Sequence, residues 1–505
     1  MIKPAILVTV LLLTTYCANE RQPGHESLYN ERHRPQIHFS PPEMWMNDPN
    51  GMVFHKSVYH LFYQHYPDSN VWGPMHWGHA TSADLVHWKN LPIALYPDSL
   101  GYIFSGSAVV DVDNTSGFGK EGDIPLVAIF THHDPKAEKE SSTTVENQSL
   151  AFSLDDGNTW TKYHGNPVLK NPGIRDFRDP KVSWYEAQKK WIMTLAASDR
   201  IIFYSSPDLK TWTKESEFGK DAGAHGGVWE CPDLFPLDYN GETVWILIVN
   251  INPGGPNGGS ATQYFTGQFD GKNFTPYQTD TRWADYGPDN YAGVTWSNTG
   301  SRKIFLGWMS NWQYANVVPT EKWRSACTLP RDLSIEKIDD RYLLRSTPAP
   351  ELKKIAGTPI VVEDVSGNMD LSQKIGNMDG PALLQLTADS IQSFSITLLN
   401  DKQEKILIGY DRDDNTYFID RRESGSITFE KGFGMRHTAP RLSSERKLVL
   451  DIVIDNASVE VFGDNGLTVM TGIFFPTMPF NTMHFQSEQM KIKLLTYTPL
   501  GNIWQ

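Results

Sequence analysis

A short phrase, Ser-x-Asp followed a few residues later by Trp, returns along the first half of this chain. It stands at Ser82-Ala83-Asp84-Leu85-Val86-His87-Trp88 and again at Ser153-Leu154-Asp155-Asp156-Gly157-Asn158-Thr159-Trp160. A third copy is Ser206-Pro207-Asp208-Leu209-Lys210-Thr211-Trp212, and a degraded one is Phe269-Asp270-Gly271-Lys272-Asn273-Phe274. The copies lie roughly 55 to 70 residues apart, which suits a four-stranded sheet with its loops. Between them run short apolar stretches broken by Gly, Pro, Asn and Asp, and no long helical period appears. Repeated small sheets close into a β-propeller, here of about five blades, with each copy a turn at a blade's outer edge. A β-sandwich also uses short strands, but it would not repeat in this way.

The fold class is therefore all-β, a five-bladed propeller over 37–345 followed by a C-terminal β-sandwich over 359–505. The sandwich is read from period-two runs such as Phe394-Ser395-Ile396-Thr397-Leu398 and Lys447-Leu448-Val449-Leu450-Asp451-Ile452. A Pro-rich linker covers 346–358. At the front, the apolar run after Lys3 reads as a secretory signal over 1–17, too short to span a bilayer for good. Its end, Leu13-Thr14-Thr15-Tyr16-Cys17, has the shape of a lipoprotein signal, from which Tyr16 departs. The expectation is an exported protein of a bacterial periplasm or cell surface, with a lipid anchor at Cys17 as the one route to a membrane. A polar, flexible leader follows over 18–36.

Beyond Cys17 only Cys231 and Cys327 remain, so no disulfide framework is expected. The net charge of −14 and the lack of basic clusters exclude nucleic acid as a partner. Neither feature opposes a neutral sugar, and the sixteen Trp offer flat faces for one.

Three acidic phrases stand out in the propeller, expected on three successive blades. Asp48 lies in Trp45-Met46-Asn47-Asp48-Pro49-Asn50-Gly51, where Pro49 and Asn50-Gly51 predict a tight turn before a strand pair. Asp179 lies in Arg175-Asp176-Phe177-Arg178-Asp179-Pro180, and Glu230 in Trp229-Glu230-Cys231-Pro232-Asp233. A propeller gathers its inner strands round one axis, so the three can meet. Taken alone, Asp48 could merely cap backbone N–H groups in a hairpin. The run Thr131-His132-His133-Asp134 reads as a rim loop rather than a metal set, because adjacent strand residues face opposite ways. Pro253 to Gly259 reads as a flexible loop, since no Gly-Lys-Ser/Thr follows to make a phosphate cradle.

These three phrases together resemble glycoside hydrolase family 32, which holds invertases, inulinases and levanases. Phe104-Ser105-Gly106-Ser107, Trp283-Ala284-Asp285-Tyr286-Gly287-Pro288-Asp289 and Leu306-Gly307-Trp308-Met309-Ser310-Asn311-Trp312 are similar to further family segments in the same order. The resemblance runs over nearly the whole chain and implies a retaining β-fructosidase without metal or cofactor. It implies Asp48 as nucleophile, Glu230 as acid and then base, and Asp179 as a third acid on the fructose hydroxyls. Retention requires nucleophile and acid about 5–5.5 Å apart. By the same resemblance Trp45, Asn47, Gln64, Asp285 and Ser107 would hold the sugar, with Trp72, Phe104 and Trp312 as apolar walls and Arg178 balancing the acids. Cys231 would pack beside Glu230 rather than react. Asn70 to Ala80 looks more like the microbial inulinase and levanase branch, which implies release of terminal fructose from inulin or levan and from sucrose. An endo-levanase, a fructosyltransferase and a fructan-binding protein without catalysis stay open at this point.

Overall fold

A computed structural model describes residues 29–504. The signal expected over 1–17, with Cys17, and the first part of the leader lie outside the described residues. Five antiparallel sheets of four or five strands follow one another along the chain. Their first strands, Met44–His55, Tyr102–Val110, Phe177–Tyr185, Val228–Tyr239 and Tyr291–Thr295, are the inner ones and neighbour each other round a closed ring. The ring is fastened by the short strand Trp323–Arg324, which returns from the last blade to pair in parallel with Met44 and Trp45 of the first. This is the five-bladed propeller.

The recurring phrase is the turn between third and fourth strand in each of the first four blades. In every copy the Asp side chain accepts a backbone N–H three or four residues on, from His87, Thr159, Thr211 or Asn273. The Asp is thus the residue that closes each turn, a task its neighbours do not share. The fifth blade closes the same hairpin with Asp339 and Asp340, both left-handed, and so has no copy.

Each of the five inner strands carries a β-bulge at the same place, two residues facing one on the second strand. The bulged pairs are Asn47-Asp48, Phe104-Ser105, Asp179-Pro180, Cys231-Pro232 and Ala292-Gly293. A bulge bends its strand and re-aims the side chain it carries. In three blades the bulge residue itself is left-handed, with φ of 64° at Asp179, 42° at Cys231 and 53° at Ala292.

Asn50-Gly51 does not make the turn expected of it. The first strand continues to His55 and turns at Lys56-Ser57 instead. Gly51 sits at a second bulge with φ of 56°, where a Cβ would stand 2.6 Å from Trp77 and 2.7 Å from Phe62. The leader also departs from expectation over its described end. Arg34 is fully buried between the Tyr29 and Trp323 rings and donates to Glu31, Ser40 and the Pro41 and Pro42 carbonyls. A guanidinium with its donors satisfied by one turn holds that turn in place.

The last propeller strand, Arg341–Pro348, leads through a 3-10 turn, Pro350–Ile355, into the C-terminal sheets. There one long strand, Thr482–Pro499, pairs first with Phe394–Leu399 and then with Ala382–Ala388, so it belongs to both layers of a sandwich. Leu384, Ile396, Leu450 and Ile452 fill the space between them. The seam against the propeller combines apolar clusters, such as Leu329 with Phe462 and Val469, with buried ion pairs. Arg331, fully buried, reaches Asp285 at 2.8 Å, Thr471 at 2.7 Å and Glu460. Glu460 in turn takes the Leu329 N–H at 2.7 Å and His38 at 2.8 Å. Arg421 makes a second such anchor, to Asp289 at 2.7 Å and Tyr314 at 2.9 Å. Buried charges are tolerable here because each finds an opposite charge and further hydrogen bonds.

Candidate active site

At one end of the propeller axis the inner strands surround a cavity of about 360 Å³. Asp48, Asp179 and Glu230 all line it, and they come from blades one, three and four rather than from three successive blades. The second blade inserts Ser105 between them, whose hydroxyl donates to Asp48 Oδ2 at 2.7 Å. Asn47 donates to Asp48 Oδ1 at 2.9 Å. Burial pushes the Asp48 carboxyl above its ordinary value, and these two donors work against that rise.

Asp179 is the most crowded of the three. Its Oδ2 accepts the Cys231 N–H at 3.0 Å, and the Cys231 Sγ lies 3.5 Å from it and 3.6 Å from Asp48 Oδ2. Burial pushes Asp179 up to about 8; Arg178 opposes this, while the charges of Glu230 and Asp48 add to it. Burial and the same three carboxylates push the Cys231 thiol far up as well, so it stays protonated and packs, as expected of it.

Glu230 is gripped at both oxygens. Arg178 gives Nε and Nη2 to Oε1, each at 3.0 Å, and the Tyr291 hydroxyl donates to Oε2. Burial raises the Glu230 carboxyl, Arg178 and Tyr291 pull it down, and the Asp48 charge pushes it up, with a net rise. Three acids around one arginine cannot all be ionised cheaply, so the cluster keeps a proton where isolated carboxylates would have lost theirs.

Of the other residues expected at the site, Asn47, Gln64, Trp72, Phe104, Arg178 and Trp312 line the cavity. Gln64 is buried, and among the described residues its Nε2 has no hydrogen-bond partner, which leaves a donor ready for a ligand hydroxyl. Trp45, Ser107 and Asp285 do not line it. Trp45 stands behind the wall and donates from Nε1 to Asn47 Oδ1 at 2.7 Å, fixing the amide that holds Asp48. Ser107 instead braces two blades, donating to the Pro180 carbonyl at 2.8 Å and accepting the Val182 N–H at 3.0 Å. Regular alternation would have turned Ser105 and Ser107 the same way; the bulge at Phe104-Ser105 separates them. Asp285 belongs to the seam, where Arg331 and Thr471 occupy it.

Glu146, Asp176, Tyr291 and Asn252 escaped notice in the sequence. Asp176 stood in a quoted phrase, but the other three lie in ordinary strand sequence, and Tyr291 reads there as core. His133 ends a strand rather than a loop; it lines the cavity and stacks on Phe104 at 4.2 Å, while His132 turns away to Ser149. The next residue, Asp134, caps a short helix, Pro135–Lys139, that forms part of the rim.

Comparison with known proteins identifies the family. The family model for the glycosyl hydrolases family 32 N-terminal domain matches residues 38–348, and that for the family 32 C-terminal domain matches 351–499. The chain is 45% identical to a levanase of Bacillus subtilis, over 100% of this chain and 75% of that protein. It is 40% identical to an extracellular exo-inulinase of Aspergillus niger, covering 90% of this chain and 91% of the other. Among solved structures, an exo-inulinase from Aspergillus awamori superposes with a TM-score of 0.86 at 35% identity, covering 94% of this chain and 100% of that one.

Proposed function

The chain belongs to glycosyl hydrolase family 32, and from that membership we propose a retaining β-fructosidase that removes terminal fructose from fructans and from sucrose. The observation that carries the proposal is the meeting of Asp48, Asp179 and Glu230 in one axial cavity, each beside a bulge. Asp48 attacks the anomeric carbon of the terminal fructosyl unit. Its Oδ1, which among the described side chains accepts from Asn47, is the freer oxygen, since Oδ2 accepts from both Ser105 and Cys231. As the C–O bond to the leaving group breaks, Glu230 gives its proton to the departing oxygen. The proton sits on Oε2, where the Tyr291 hydroxyl can turn from donor to acceptor, while Arg178 keeps Oε1. The fructosyl ester on Asp48 then meets a water that Glu230 deprotonates, which releases fructose and restores both carboxyl groups.

Asp179 holds fructose hydroxyls, with the Gln64 amide, unpartnered among the described residues, as a further donor. A cavity of about 360 Å³ is at the small end for ligand pockets, which suits a chain end more than a polymer running through. The kinship with an enzyme described as extracellular supports a place outside the cytoplasm. Export through residues 1–17, with the lipid anchor at Cys17, is part of the same proposal.

The test is a chromatographic time course on inulin, levan and sucrose. From inulin and levan, fructose alone is expected at the earliest points, and from sucrose fructose with an equal amount of glucose; a ladder of oligosaccharides would replace exo-action by endo-action, and no product would leave a binding protein. Asp48→Asn and Glu230→Gln should fold normally and lose turnover by orders of magnitude. Wild-type turnover in either removes that residue from its role.

A further inference from the structure

Arg178 faces more negative charge than its bond to Glu230 requires. Its Nη1 is shared by Asp176 at 2.8 Å and Glu146 at 3.0 Å, on the side away from Glu230. Glu146 is buried in the cavity wall, with its side chain 5% exposed, and is fixed by more than the arginine. Its Oε2 accepts the Phe177 N–H at 2.7 Å, directly before Arg178 in the chain. Its Oε1 also meets His133 Nδ1 at 3.4 Å, and the other nitrogen of that ring meets Glu138 at 3.1 Å on the rim. Glu146 thus ties the backbone before Arg178 and the far end of its guanidinium to the second blade.

We infer that Glu146 is a positioning residue for this reaction: it sets Arg178 and limits how strongly that arginine holds Glu230. The inference rests on the reading of Glu230 as the acid. With Glu146 and Asp176 on one side of the guanidinium, part of its charge is balanced before it reaches Glu230. Without that balance Arg178 pairs more tightly with Glu230 and draws the proton off it. The groups facing Glu230 are Arg178, Tyr291, Asp48, Asp179 and the Cys231 thiol; those facing Glu146 are Arg178 and His133, with Asp176 sharing the same Nη1. Burial acts to raise the Glu146 carboxyl, but Arg178, His133 and the Phe177 N–H outweigh it, so the group stays ionised over the working range.

The experiment compares kcat/KM against pH for Glu146→Gln, Glu146→Asp and Asp176→Asn. Two substrates are used: sucrose, whose leaving group needs a proton, and β-D-fructofuranosyl fluoride, whose leaving group does not. Gln keeps an oxygen for the Phe177 N–H but loses the charge. Its alkaline limb on sucrose should move down by about one pH unit, and its profile on the fluoride should stay in place. Asp keeps the charge and should leave the limb near its original pH even if the rate falls. Asp176, with its side chain 26% exposed, should give a smaller move in the same direction when changed to Asn. A Glu146→Gln profile that superimposes on the parent, or that loses equally on both substrates at every pH, overturns the inference. Should that variant fail to fold, an unmoved limb in Asp176→Asn overturns it instead. Sucrose turnover retained by Glu230→Gln would refute the acid assignment itself, a separate result.

Discussion

His38 should make the join between propeller and sandwich sensitive to alkali. Its Nδ1 lies 2.7 Å from Asp455 Oδ2 and its Nε2 2.8 Å from Glu460 Oε1, with all three side chains fully buried. Two carboxylates can be satisfied together only if both ring nitrogens carry hydrogen, that is, by the imidazolium. Burial opposes the charge, but the bonds to Asp455 and Glu460 prevail and raise the group from 6.5 to about 9. At about 1.4 kcal/mol per pH unit this is worth about 3 kcal/mol of folding free energy. The raised value sets the sign: the stabilisation is full below pH 6.5 and is lost as pH rises through about 9. For a unit the size of the C-terminal sandwich, about 3 kcal/mol means a fall in Tm of about 6–12 °C. Calorimetry from pH 6 to 10 at fixed ionic strength should show this fall. His38→Gln, whose amide can donate to both acids but carries no charge, should start lower and stay flatter. Parallel losses in parent and variant across that interval would refute the reasoning, because other groups would then be responsible. At the acid end Glu460 reverses the sign. Burial would raise it, yet Arg331 and His38 hold it at about 2 against an ordinary 4.5, so its contribution disappears as pH falls from 4.5 towards 2.

The serines of the second blade should separate chemistry from bracing. Ser105→Ala removes a hydrogen bond that favours ionised Asp48, so the acidic limb of kcat/KM should move up by about one pH unit. Ser107→Ala should lower Tm and leave the pH profile in place. Asp285→Asn strips a buried arginine of one charged partner and should cost about 3 kcal/mol in thermal unfolding, with KM for sucrose unchanged. Trp72, 39% exposed at the cavity rim, should upon change to Ala raise KM for inulin about tenfold while shifting stability by under about 1 kcal/mol.

What the sequence disclosed of all this follows from where its signals were local. The Ser-x-Asp turns are satisfied within four residues, so they mark the blades directly. The prolines after Asp48, Asp179 and Cys231 flag the inner strands for a similar reason. Bulges were not legible, because an extra residue is defined only by the partner strand. This misplaced the turn at Asn50-Gly51 and favoured Ser107 over Ser105. Asp285 looked like a free hydrogen-bonding group because its partners, Arg331 and Thr471, lie 46 and 186 positions away. Glu146 and Tyr291 have no local signature at all; their roles arise only when separate blades bring them to Arg178 and Glu230.

The left-handed bend at Asp179 narrows the mutational paths open to the site. With φ of 64°, that position disfavours most side chains, and Asp and Asn are among the few that accept it without glycine's freedom. Asn keeps the bend and drops the carboxyl group; Ala drops both. Asp179→Asn should therefore hold the parent Tm while Asp179→Ala falls below it. A lineage that gave up hydrolysis but kept the ring would most easily pass through the amide. It would emerge with its sugar-sized cavity intact, one base change away from a lectin.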